Sequence, residues 1–151
     1  MFGKAISNGY SLTAIIGKKN IMKSSNKTFI SSTFFSERSS YVAGIETLKE
    51  MKRIKAWKII KNKGKKLKEK IKEIEKKNNL KIEFNGLDAL IKFKFLNVDN
   101  KKAIKIITKD MIKFGFLAND TIYVSISHTD NLIKKYLKNL NKIFKKISQN
   151  I

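Results

Sequence analysis

A chain of 151 residues has room for one compact domain or a piece of a larger one. Its 42% apolar content is ordinary for a soluble globular protein, no apolar run approaches the roughly 18 residues of a membrane span, and the absence of cysteine excludes disulfides, thiolate metal sites and a cysteine nucleophile. The formal charge of +22 raises nucleic acid or anionic membrane as partners, but only Arg38 and Arg53 are arginine, and dispersed lysine with abundant Ile and Asn and no proline is the bias of an AT-rich coding sequence.

The first 40 residues are rich in Gly, Ser, Asn and Thr, the texture of an active-site segment, with an apolar run at Leu12 to Ile16 that reads as a buried strand. From Val42 to about Asn78 the pattern is helical. Ile45, Leu48, Met51, Ile54 and Trp57 form one apolar stripe expected to face a core, and Leu67, Ile71 and Ile74 continue it beyond Gly64, which marks a bend or break between two helices. Two strands follow: Leu80, Ile82 and Phe84 alternate with Lys81 and Glu83, then Ile91, Phe93 and Phe95 with Lys92 and Lys94, with a turn signal at Asn85-Gly86. A helix carrying Ile104, Ile107, Met111 and Phe114 is capped by Asp99-Asn100 and stopped by Gly115. Ile122, Val124 and Ile126 share one side of a third strand. A last helix from Thr129-Asp130 turns Leu132, Tyr136, Leu140, Ile143 and Ile147 inward. The order helix, strand, strand, helix, strand, helix implies a two-layer α/β module with one lysine-bearing sheet face in water. The segment before Val42 lacks sheet partners, so material is expected to be missing on its N-terminal side.

Phe2-Gly3-Lys4-Ala5-Ile6-Ser7-Asn8-Gly9-Tyr10, followed by Ala14-Ile15-Ile16-Gly17, resembles the stretch around the cofactor lysine of class III (fold-type I) pyridoxal-phosphate aminotransferases, of the branch related to glutamate-1-semialdehyde 2,1-aminomutase. Ser11 stands where that family often has proline. A second block, Ile30 to Arg38, resembles the family's Ser-Ser-Thr-Phe-Trp-Thr-Glu-Arg stretch, with Phe35 in place of tryptophan and Ser39-Ser40-Tyr41 in place of a common Ile-Gly-Pro. Gly115 to Ala118, Tyr123 to Thr129 and the final helix are similar to the end of these enzymes.

The resemblance implies an α/β fold: residues 1–41 as the end of a large cofactor-binding domain and residues 42–151 as a small C-terminal α/β domain including the long connecting helix. It implies pyridoxal 5'-phosphate as cofactor and Lys4 as its Schiff-base lysine and proton shuttle. Thr33 is implied as a ligand of the cofactor phosphate across a dimer interface, with Ser32 beside it, while Glu37 and Arg38 either contact substrate or pair with each other. The implied activity is amino-group transfer on a small amino or keto substrate, between molecules or between neighbouring carbons of one. The implied partner is a second copy in the parent dimer or a separately encoded N-terminal part, and the isolated chain reads as a truncated or split product, inactive by itself.

His128, the only histidine, precedes a helix start and is read as a capping or packing residue, and Trp57 as core. No metal constellation, membrane partner or specific nucleic-acid partner is expected, and the opening residues lack a secretory signal, so a cytoplasmic setting is the expectation. The competing reading is a non-enzymatic basic module that binds polyanions through its lysine-rich helices.

Overall fold

A computed structural model describes residues 2–150. It divides into two compact units, the first ending at Lys55 and the second beginning at Ala56.

In the first unit, Phe2 and Ala14 exchange both backbone hydrogen bonds, at 2.7 and 2.8 Å, as an isolated antiparallel bridge. The strand expected over Leu12 to Ile16 is not formed; among the described residues the bridge is the pairing this stretch has, and Ile15 and Ile16 are exposed. With no neighbouring strand to accept its ladder, an apolar run has no sheet to join. Between the bridged residues the chain makes a 3-10 turn, Lys4–Ser7, closed by Asn8 in the left-handed region. A short helix α1 (Lys19–Met22) runs into a second 3-10 turn, Lys23–Lys27. Helix α2 (Arg38–Arg53) completes the unit and seats the Lys4 turn at Gly44, where an added Cβ would come within 2.6 Å of Leu12 Cδ2.

The residues α2 buries are Ser40 and Gly44, not the expected stripe: Ile45, Leu48 and Met51 are exposed. The helix break also falls elsewhere. Ile54 ends α2, Lys55 takes φ 53°, and α3 (Ala56–Lys77) then passes through Gly64 without interruption. Gly64 is a close-approach site: a Cβ there would lie 1.8 Å from the backbone oxygen of Asp88. Trp57 is 52% exposed rather than core.

The second unit carries the core. Strands β1 (Ile82–Asn85), β2 (Leu90–Phe95) and β3 (Thr121–Tyr123) form an antiparallel sheet in the order β1-β2-β3, with Ile82 opposite Phe95, Phe84 opposite Phe93 and Ile91 opposite Ile122. Strict alternation on β2 sends Ile91, Phe93 and Phe95 inward and leaves Lys92 and Lys94 in water, where Lys94 meets Glu83 across the strands at 2.6 Å. The inner face is covered by α3, α4 (Asn100–Lys113) and α5 (Asp130–Asn150), which contribute Leu67, Ile71, Ile107, Met111, Leu140, Phe144 and Ile147. Phe95 packs edge-on to Phe144, ring centres 5.3 Å apart. Each such side chain removed from water contributes about 1.5–3 kcal/mol.

The helix ends follow the expected capping chemistry. The Asp99 carboxylate accepts from the Lys102 N–H at 3.1 Å, Gly115 takes φ 81° after α4, and Thr129 Oγ1 accepts from the Leu132 N–H at 3.2 Å. Strand β3 ends at Tyr123, short of the expected Ile126, which is 46% exposed, and Phe114 and Leu132 sit at the edge of the core rather than within it.

Candidate functional site

Lys4 opens the 3-10 turn with φ 54°. A side chain bearing a Cβ in this left-handed conformation costs about 1–3 kcal/mol, a cost that persists only where surrounding contacts over-determine the backbone. Those contacts are visible. The Phe2–Ala14 bridge fixes one side; Ile6, Asn8 and Tyr10 donate their N–H groups to the carbonyls of Gly3, Ala5 and Ser7. Ser7, fully buried, donates its hydroxyl to the Tyr10 carbonyl. Gly9, at φ 109°, supplies a conformation only glycine adopts cheaply. The outcome is a pinned loop that presents an exposed lysine amine.

The second block is a compact turn leading into α2. Phe35 N–H donates to the Ser32 carbonyl at 3.1 Å, Glu37 N–H to the Phe34 carbonyl at 3.1 Å, and Phe34 N–H to Ser32 Oγ at 3.3 Å. The Tyr41 hydroxyl reaches back from α2 to the Phe35 carbonyl at 2.8 Å and ties the turn to the helix. Thr33 sits exposed at the top of this turn, without a side-chain hydrogen bond among the described residues. Glu37 is the N-cap residue of α2 and accepts from the Ser39 hydroxyl, and Arg38 is the first helical residue. Among the described residues Glu37 and Arg38 do not pair with each other.

A cavity of about 540 Å³ opens beside this turn, and Ser11, Thr13, Ser25, Ser31, Ser32 and Ser40 are among the residues that line it. The Ser40 hydroxyl is buried and has no hydrogen-bond partner among the described residues, so it carries a desolvation cost. Sequence reasoning did not select Ser40. The signal available was its spacing: with Gly44, four residues on, it forms the small-residue face that α2 turns inward. Of the expected site residues, the structure brings Ser32 to the cavity wall, while Lys4, Thr33, Glu37 and Arg38 do not line it. A cavity lined by serine and threonine residues and a separately presented primary amine are chemistry that fits a phosphorylated aldehyde. Among the described residues no cluster of His, Asp or Glu has the make-up of a metal site, and no helix is long and apolar enough to cross a membrane.

The family model for aminotransferase class-III matches residues 1–144. The chain is 26% identical over 162 aligned positions to glutamate-1-semialdehyde 2,1-aminomutase of Sulfurisphaera tokodaii, covering 96% of this chain and 39% of that protein. It is 33% identical over 86 residues to 3-aminobutyryl-CoA aminotransferase of Cloacimonas acidaminovorans, covering 56% of this chain and 21% of that one. The FumI protein of Sphingopyxis sp. MTA144, solved in its PLP internal aldimine form, shares the fold with a TM-score of 0.84 over 98% of this chain and 36% of its own, at 18% identity. The α/β reading of the fold therefore holds for the chain as it stands. The chain spans from about a fifth to two-fifths of the length of these proteins.

Proposed function

The chain belongs to the class-III aminotransferase family, and from that premise we propose that it is the C-terminal part of a pyridoxal-phosphate aminotransferase or aminomutase in which Lys4 holds the cofactor covalently. The observation that carries the reading is that the family match runs through both the Lys4 turn and the Ser32 to Arg38 turn. Residues 1–41 are then the end of the cofactor-binding domain, and the remainder the connecting helix and small domain.

Pyridoxal phosphate, when bound, supplies an electron sink that makes a substrate α-carbon acidic. This chain's own residues would supply the rest. The Lys4 Nζ takes up and returns the proton that leaves that carbon, and its strained, bonded turn keeps the amine from drifting while it does so. Thr33, exposed and without a side-chain bond, is the hydroxyl offered to a phosphate bound by a partner subunit, with Ser32 as its neighbour. Glu37 and Arg38 stand at the same helix start and are proposed to meet the charged groups of a small amino or keto substrate. A partner is supported by the exposed apolar residues Tyr41, Val42, Ile45 and Leu48 on α2, since neighbouring exposed apolar side chains are a common mark of an interaction surface. The partner is a second copy of the parent enzyme or a separately made N-terminal part, and without it the chain is expected to be inactive.

The test is to combine the chain with its upstream part, add pyridoxal phosphate, reduce with borohydride and map the labelled peptide. The label is expected at Lys4, and Lys4→Ala should remove both label and turnover; Thr33→Ala should weaken cofactor retention more than it alters the labelled position. Label scattered over helix lysines such as Lys65 or Lys134, with Lys4 unmodified, would refute the assignment.

A further inference from the structure

Helices α3 and α5 lie side by side and are tied to each other at two levels. Lys63 Nζ donates to the carbonyls of Ile126 and His128, just ahead of α5, at 2.9 and 2.7 Å, and farther along Asn78 Nδ2 donates to Asn141 Oδ1 at 3.0 Å. Between these ties the helices leave a groove of about 560 Å³, within the roughly 300–1,000 Å³ range of small-molecule sites. Lined from Ile59 to Lys70 on the α3 side, it runs for about 16 Å at the α-helical rise per residue.

The lining divides by chemistry. Leu67 is buried at the floor, Ile133 and Leu137 are half-buried, and Ile59 is 37% exposed, so the apolar surface is a narrow strip rather than a broad face. Beside it stand Lys63, Lys66 and Lys70 from α3 and Lys134 from α5, against one carboxylate, Asp130, and the neutral amide of Asn62. Lys63 is taken by the two carbonyls and Lys70 by Glu73 at 2.9 Å, whereas Lys66 and Lys134, both exposed, have no partner among the described residues. Asp130 is the first residue of α5, where a helix N-terminus favours a carboxylate. Two accessible ammonium groups therefore remain for a ligand, one on each helix.

We propose that this groove is a binding site for a medium-chain alkyl carboxylate, its head shared by the Lys66 and Lys134 ammonium groups and its chain laid along the strip of Ile59, Ile133 and Leu137. A two-oxygen anion matches two separate donors, and because both lysines are exposed neither charge has to be stripped of its water to make the contact. A strip this narrow takes one alkyl chain, each methylene removed from water adding to the affinity. A protein partner would need roughly 1,200 Å² of buried surface, and a second copy of a chain with a formal charge of +22 would set lysines against lysines. The site lies wholly within the second unit, which begins at Ala56, so it is independent of the Lys4 assignment.

The experiment is an amide NMR titration of the full chain at low salt with octanoate, with 1-octanol as its uncharged match and acetate as the head alone. Octanoate should give saturable shifts centred on residues 59–70 and 130–137 and, measured at these residues, bind about 3–10-fold more tightly than 1-octanol, while acetate gives no saturable shift. The double variant Lys66→Gln with Lys134→Gln should bring octanoate down to the affinity of 1-octanol. Lys101→Gln with Lys105→Gln, exposed positions on α4, should change neither affinity. Equal affinities in the unaltered chain, shifts centred elsewhere, acetate saturating the same residues or an unaffected Lys66 and Lys134 double variant would each overturn the proposal. So would shifts of these residues with protein concentration alone, which would assign the groove to a second copy.

Discussion

Gly44 and Gly64 are both helical glycines facing a close neighbour, yet the same substitution should separate them. Alanine gains about 1 kcal/mol of helix propensity at either position. At Gly44 the new methyl meets the tip of Leu12, a side chain that can rotate away, whereas at Gly64 it meets the Asp88 carbonyl 1.8 Å off, which is backbone. Gly44→Ala is therefore expected to leave stability within about 1 kcal/mol of the parent, while Gly64→Ala loses about 1–3 kcal/mol net and lowers the melting temperature of the second unit, measurable by near-UV circular dichroism. Lys4 gives the converse case. Its left-handed φ of 54° penalises any residue with a Cβ, so Lys4→Gly should be more thermally stable than Lys4→Ala by roughly 1 kcal/mol; equal melting curves would count against a strained turn. Lys4 stands out in the sequence as a candidate because an uncommon run of neighbours surrounds it, and Gly64 was legible only as a glycine: periodicity cannot distinguish a bend from a close approach, since the carbonyl that demands the glycine lies 24 residues downstream.

Helices α4 and α5 are joined at their ends by Asp110, whose carboxylate accepts from Lys113 on its own helix at 3.0 Å and from Lys146 on α5 at 2.7 Å. The Lys146 hydrogen bond, then that of Lys113, holds this carboxyl below its ordinary value of 3.8. A carboxyl depressed in the folded state binds its proton more readily once unfolded. Its stabilisation is therefore complete above pH 3.8 and is lost as pH falls below that value through the folded titration point. Asp110→Asn should be less stable than the parent at pH 7, and the two should converge as pH drops below 3.8, followed by urea unfolding across pH 2–7. At this scale the sequence was informative wherever an element's partner lies nearby in the chain. The β1–β2 pair, the Asp99 cap and the Gly115 stop were all readable from adjacent residues. Helix α2 was readable as a helix and not as to its buried face, because amphipathic spacing names an apolar stripe without saying what covers it; here Ser40 and Gly44 face inward, and Ile45 and Leu48 do not.

Across the whole molecule the core is unevenly shared. Of the buried apolar side chains, Ala56 and everything in the main cluster belong to the second unit, while the first buries chiefly Ser7, Ser40 and Gly44. Amides of α5 around Leu140 to Ile147 are accordingly expected to exchange far more slowly than those of residues 2–37 in the monomer; equal protection would mean that the first unit holds itself together by contacts other than apolar burial. The same unevenness does not extend to charge. Lysines occupy the outer faces of α2, α3, α4, α5 and β2 alike, and many are already engaged: Lys49, Lys68, Lys70, Lys92, Lys94, Lys102 and Lys113 each face a carboxylate, and Lys63 spends its ammonium on two backbone carbonyls. A polyanion approaching this surface gains affinity by releasing counterions, a contribution that is indifferent to base sequence and falls steeply with salt. Base discrimination would need a side chain held against a base edge, and arginine, whose fork makes the commonest such contact, occurs only at Arg38 and Arg53. Nucleic acid should therefore bind weakly, with similar affinity for unrelated duplexes of equal length, and should be released between about 50 and 200 mM salt in a fluorescence-anisotropy titration. A complex that survives high salt and prefers one sequence would instead favour a basic binding module over the fragment of an amino-group-transferring enzyme.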